Sequence, residues 1–192
     1  MKIGIEINDT LRSYSTQLQE VINKYHYKDF DIEKKPIRGP FWEYFEFENE
    51  TVFNEFIYGE AGLEIFGHPD VMSENSVPNF NLTNSIIEEY EDHQLYIVGR
   101  ESMMAIPGTL FFLAKIAAKI RHIIFVKTYD EIWHDVDVII TANPVTLDNK
   151  PSYKKSIKIN TSYNTGVSAD YSVDTLDDIL SELENSEGFF KQ

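Results

Sequence analysis

The chain has 192 residues, 42% of them hydrophobic, with 13 Phe, 11 Tyr and 2 Trp, enough apolar material for one domain or a core domain with a small insertion, and too much for a disordered chain. Its formal net charge of −15, from 17 basic and 32 acidic residues, disfavours direct binding to nucleic acid or to an anionic membrane. It leaves a solubility role, or a decoy surface for a basic partner. The absence of cysteine excludes disulfides, thiolate metal sites and a cysteine nucleophile, and fits a cytoplasmic protein.

Ile3, Ile5 and Ile7 alternate with Gly4 and Glu6, which predicts a buried strand over 2–7. Glu6 comes too early for a secretion signal, and no apolar run reaches the ~18 residues of a membrane span. Asn8-Asp9-Thr10 breaks the strand, and Leu11, Tyr14, Leu18, Val21, Ile22 and Tyr25 then recur at helical spacing. From about Lys28 to Asn79 the character changes: Pro36, Pro40, Pro69 and Pro78 punctuate a dense aromatic stretch that includes Phe41, Trp42, Tyr44, Phe45, Phe53 and Phe66. Short helices and loops are expected here, with the aromatics as the core of a small separate unit.

Beyond it, helices are expected over 85–92, 108–119, 129–134 and 175–184, the last with Asp174 as N-cap. Strands are expected over 94–98, 122–126, 136–141 and 156–160. Apolar strands alternating with helices imply an α/β fold, a parallel Rossmann-like sheet flanked by helices, with the mainly helical segment inserted. Ligands then bind beyond the carboxyl ends of the strands, at 6–10, 99–102, 127–128 and 141–144.

The opening Ile3-Gly4-Ile5-Glu6-Ile7-Asn8-Asp9-Thr10-Leu11 resembles the first motif of the haloacid-dehalogenase-like superfamily, whose deoxyribonucleotidase-type members read Asp-x-Asp-Asp-Thr-Leu after an apolar run. Leu95 to Arg100 looks like the strand of the second motif, Val136 to Pro144 like the strand and turn of the fourth, and Ser162-Tyr163-Asn164 like the Pro-Tyr-Asn of those nucleotidases. The aromatic segment sits where the family places its cap. The resemblance therefore implies a core of residues 1–25 and 80–192 and a cap-like insertion of residues 26–79.

The family's chemistry uses an aspartate nucleophile, a second aspartate two residues on as general acid and base, a hydroxyl and a lysine on the phosphoryl oxygens, and carboxylates on Mg²⁺. Here the nucleophile slot holds Glu6, one methylene too long, and a misplacement of about 1 Å can cost roughly a hundredfold. The acid/base slot holds Asn8, whose amide has no useful proton to exchange. The resemblance implies phosphate or ligand contacts at Thr10, Gly99, Arg100 and Lys127, although Gly99 lacks the hydroxyl its slot requires and Ser102 is out of register. The metal slot falls on Thr141-Ala142, followed by Asn143, a degenerate set of weak ligands. Asp9 fits a turn or a helix N-terminal charge.

The five histidines show no metal spacing, and there is no Walker, dinucleotide or nucleophile-elbow motif. The reading is a retained phosphohydrolase scaffold with a retired site, acting by binding a protein partner or small ligand and needing no cofactor. The alternatives are a divergent Mg²⁺-dependent phosphohydrolase or 5′-nucleotidase, and an acidic decoy.

Overall fold

The computed structural model describes residues 1–35, 37–59, 61–70, 94–102, 105–176 and 178–179. Six strands form one sheet: β1 (Lys2–Glu6), β2 (Gln94–Gly99), β3 (His122–Phe125), β4 (Val138–Thr141), β5 (Lys155–Ile159) and β6 (Tyr171–Val173). All neighbours are parallel, in the order β3-β2-β1-β4-β5-β6. The α/β architecture read from the sequence is the one observed.

β1 is central because its residues suit burial on both faces. Ile3 and Ile5 are buried with Ile97, Val138, Ile140 and Ile157 in the main core. Gly4 pairs with Tyr96 on one side and Ile139 on the other. A Cβ at Gly4 would lie 2.7 Å from Ile139 Cδ1 and 2.9 Å from Val136 Cγ1, so this strand crosses the packed layer only as glycine. After β1 the chain builds outward through β2 and β3, then returns to place β4 on the other side of β1. The strand order thus reverses between β1 and β4, and ligand sites of open α/β sheets form at such reversals.

Helix α1 (Tyr14–His26) buries Tyr14, Leu18, Val21 and Ile22 at the predicted spacing. Short helices α2 (Phe41–Tyr44), α3 (Glu50–Tyr58) and α4 (Gly62–Gly67) follow in the aromatic segment. Their buried residues, among them Tyr44, Phe45, Phe53, Ile57 and Phe66, join those of α1 in a single cluster. The aromatics therefore pack onto α1 rather than around one another alone. Helix α5 (Ala105–Lys115) packs closely on α4 because both carry glycine at the contact: a Cβ at Gly108 would stand 3.0 Å from Phe66 Cβ and 3.3 Å from the Gly67 amide nitrogen.

Several boundaries differ from expectation. Helix α5 starts at Ala105 and stops at Lys115, not 108–119, because Ala117 turns left-handed (φ 51°) and the Ala118 amide bonds back to Leu113 O at 3.2 Å. The expected 129–134 helix is the single turn α6 (Ile132–Asp135). Helix α7 (Pro144–Asp148) was unforeseen, although Asn143-Pro144 is a cap-plus-N1 signature, and Asn143 Oδ1 accepts from the Val145 amide at 2.8 Å. Strand β6 has three residues, too few for a period to register. Thr175, not Asp174, makes the capping pair at the C-terminal end: its amide donates to Asp178 Oδ2 at 2.8 Å and its hydroxyl accepts from the Asp178 amide at 3.4 Å. Asp174 instead accepts from Asn160 Nδ2 at 2.9 Å. The helix expected over 85–92, most of that over 175–184, and Met103 and Met104 lie outside the described residues. Among the described residues no helix is long and apolar enough to cross a membrane.

Candidate functional site

β1 and β4 bring Glu6 and Thr141 together at the carboxyl edge of the sheet. Glu6 is only 2% exposed. The Thr141 hydroxyl donates to its Oε2 at 2.5 Å and the Thr146 hydroxyl to the same oxygen at 3.0 Å. Asn143 Nδ2 donates to Oε1 at 3.2 Å. Burial pushes the Glu6 carboxyl up to about 7, against the pull of these three donors, with the Glu101 carboxylate adding to the rise. The Glu6 side chain is thus folded into the protein wall, with both oxygens engaged.

The loop after β1 is tight. The Leu11 and Arg12 amides both donate to Ile7 O, at 2.9 and 3.1 Å, and the Asp9 amide donates to Arg12 O at 2.9 Å. This closure holds Asp9 at φ 52°, a left-handed conformation that Asp adopts more readily than most residues. Asp9 is buried. Its Oδ1 accepts from the Ser15 amide at 2.8 Å and the Ser15 hydroxyl at 3.0 Å, in the first turn of α1. Its Oδ2 accepts from the Tyr163 hydroxyl at 2.8 Å. Burial raises its carboxyl above the ordinary range, with the Ser15 and Tyr163 hydrogen bonds opposing. The helix-start role expected of Asp9 is present, joined by a long-range link to Tyr163.

Arg12, which no motif or spacing singled out, is fully buried and holds four groups. Its Nε donates to Asn8 Oδ1 at 2.7 Å, Nη1 to Phe66 O at 2.9 Å and to the Thr109 hydroxyl at 2.6 Å, and Nη2 to Glu101 Oε1 at 2.6 Å. The guanidinium also lies 5.1 Å from the Phe66 ring centroid. Burial raises the Glu101 carboxyl and the Arg12 charge lowers it, with burial the larger. Glu101 Oε2 is buried without a hydrogen-bond partner. Arg12 thereby ties the first loop to α4, to α5 and to the loop after β2.

The other expected contacts are dispersed. Thr10 is buried, its hydroxyl donating to Asn8 O at 3.4 Å and accepting from the Ala142 amide at 3.2 Å. Gly99 is buried against Ile7 and Glu101. Arg100 is exposed, its Nε on Lys127 O at 3.0 Å and its guanidinium 5.3 Å from the Tyr129 centroid. Lys127 is exposed, with its amide on Glu131 Oε2 at 2.8 Å. Asn164 is a buried clamp, donating to Ala142 O and Ile159 O at 2.8 Å each.

The residues present do not suit Mg²⁺, a hard cation that needs several free oxygen ligands. The Glu6 carboxylate lies beside Thr141 and Asn143, and both its oxygens take protein donors. Asn8 Oδ1 faces a guanidinium, and the Asn143 oxygen caps α7. Among the described residues no three His, Cys, Asp or Glu side chains converge in a metal-holding group.

A pocket of about 440 Å³ opens beside this edge, within the range of small-molecule sites. Asn8, Asp9, Tyr129, Asn143 and Asp148 line it from the sheet side, and Ile37, Gly39, Pro40 and Phe41 from the aromatic segment, with Tyr14 and Tyr163 between. Glu6, Thr10, Gly99, Arg100, Lys127 and Thr141 are not among the lining residues, and among the described residues no Lys, Arg or His lines it. Sequence reasoning missed Tyr14, Phe41, Tyr129 and Asp148 as pocket residues because distant segments supply them.

In its fold the chain is similar to haloacid-dehalogenase-like hydrolases of known structure. A haloacid dehalogenase-like family hydrolase from Xanthomonas campestris superposes with a TM-score of 0.53 at 13% identity, over 96% of this chain and 95% of that one. A HAD hydrolase of family IA, variant 3, from Entamoeba histolytica gives a TM-score of 0.57 at 9% identity, over 92% and 94%. At such identities the likeness is one of fold. No protein-family model matches the sequence, and no curated protein does so significantly.

Proposed function

We propose that this chain is a catalytically retired member of the fold that works by binding a small ligand in the cleft beneath its aromatic segment. The observation that carries this reading is the engagement of both reactive slots. Glu6 is held by Thr141, Thr146 and Asn143, and Asn8 by Arg12. An attacking carboxylate must be free and a general acid must have a proton to give; neither slot offers this. In this reading residues 26–79 serve as a cap over the core of 1–25 and 80–192. The cleft would meet a phosphate ester with Asp9 and Asp148 and, among the described lining residues, no neutralising side chain, which disfavours phosphoryl substrates.

The second reading, a divergent Mg²⁺-dependent phosphohydrolase or 5′-nucleotidase, draws on the hydrolase fold alone. One assay separates the two: phosphate release at neutral pH from deoxynucleoside monophosphates and an aryl phosphate, with and without Mg²⁺, beside Glu6→Gln. We expect no release above that of the variant. Release requiring both Mg²⁺ and Glu6 would overturn the proposal.

A further inference from the structure

We propose that the cleft is built for a methylated ammonium cation, a ligand carrying a quaternary or tertiary amine, a deepening that rests on the binding reading above. Three rings of the pocket wall stand at steep angles. Tyr14 and Phe41 meet edge to face, with centroids 5.9 Å apart and planes at 90°, and Phe41 and Tyr163 meet at 6.0 Å and 65°. All three line the pocket, and aromatic rings attract quaternary ammonium groups through cation–π interaction. The wall has a carboxylate beside them, since the Tyr163 hydroxyl rests on Asp9 Oδ2 at 2.8 Å. Asp148 adds an exposed carboxylate to the wall. Among the described lining residues there is no Lys, Arg or His, so the carboxylates of the wall favour a cation over an anion.

The methyl groups follow from a different observation. The side-chain acceptors deepest in the wall already have donors. Asn8 Oδ1 takes Arg12, Asn143 Oδ1 takes the Val145 amide, and Asp9 takes Ser15 on one oxygen and Tyr163 on the other. A primary ammonium would bring three N–H donors that, beyond Asp148, compete for the already bonded oxygens of Asn8, Asn143 and Asp9. A quaternary ammonium brings none. It needs ring faces and a nearby negative charge, and the pocket supplies both.

The test is calorimetric titration of the full chain with choline, beside its uncharged isostere 3,3-dimethylbutan-1-ol and the primary amine ethanolamine. We expect saturable choline binding, with both comparators at least ~10-fold weaker. Phe41→Ala, at a half-buried position, should abolish it in a chain whose circular dichroism is unchanged. Asp148→Asn, at an exposed position, should weaken it a few-fold and flatten its dependence on salt. Choline and the isostere binding equally would make the cleft apolar rather than cation-selective and overturn the proposal. So would no choline binding at tens of millimolar, or tighter binding of inorganic phosphate in the same titration. These outcomes are independent of phosphate release, so this inference can fail while the binding reading survives.

Discussion

The amide oxygen of Asn8 lies 2.7 Å from Nε of the buried Arg12. In the motif that the first strand and turn resemble, this is the position of the general acid and base, and here its amide oxygen accepts from a buried guanidinium. The consequence is sharper than loss of a proton donor. A carboxylate placed there would pair with Arg12 and be held ionised.

Installing the two aspartates of the resembled motif should therefore not produce turnover. In Glu6→Asp combined with Asn8→Asp, the new carboxylate at position 8 meets Arg12, and Thr141-Ala142 still offers no charged metal ligand. Phosphate release by the double variant is expected to stay at background with or without Mg²⁺. Strong Mg²⁺-dependent turnover would show that the metal slot has been misplaced.

The Arg12–Glu101 pair offers a stability test. Both side chains are fully buried and 2.6 Å apart. Arg12→Leu strands Glu101 without its partner, and losing one member of a buried pair costs about 3–5 kcal/mol. Removing both, as Arg12→Leu with Glu101→Leu, should recover much of that loss, because no buried charge is left unpaired. Urea denaturation of the two singles and the double measures the coupling. Additive losses would mean that the pair is not the unit holding this corner.

The strands were legible in sequence because isoleucine alternation and apolar runs state their own burial. The turn after β1 was legible because Asn8-Asp9-Thr10 breaks the apolar alternation. The Glu6 cage was half visible: Thr141 and Asn143 were in view, but Thr146 lies on a short helix whose Asn-Pro start was passed over. Arg12 gave no signal, since a lone arginine one turn into a loop normally faces water, and what buries it arrives from Phe66, Glu101 and Thr109. The pocket was illegible for the same reason. Tyr14, Phe41, Tyr129 and Tyr163 are far apart in sequence, and only closure of the aromatic segment against α1 and the sheet edge brings them to one cleft.

The Tyr163 hydroxyl and Asp9 are a second coupled pair, linking the loop after β5 to the first turn of α1. Tyr163→Phe removes one donor from a buried carboxylate and should destabilise by roughly 1–3 kcal/mol. In an Asp9→Asn background the same change should cost less, since the residue left under-bonded is neutral. Thermal melts of the four proteins give the coupling energy. A coupling near zero would mean that the hydroxyl is satisfied elsewhere.

Glu6 makes a prediction of unusual sign. Its carboxyl ionises near 7 in the folded chain and near 4.5 when unfolded. Between those values the folded state holds more protons than the unfolded state, so stability falls as pH rises through the window. The effect is complete above pH 7 and absent below about 4.5. Glu6→Gln keeps the shape, carries no charge to desolvate, and abolishes this dependence. It should be more stable than the parent at pH 8, by on the order of 2–3 kcal/mol less whatever Thr141 and Thr146 lose in reorienting their hydroxyls. The advantage should shrink steadily towards pH 5. Urea midpoints of the two proteins at several pH values make the comparison. If Glu6→Gln is the less stable protein at pH 8, the carboxylate is stabilised by its three donors more than burial penalises it, and the negative charge in this wall is an asset to the fold.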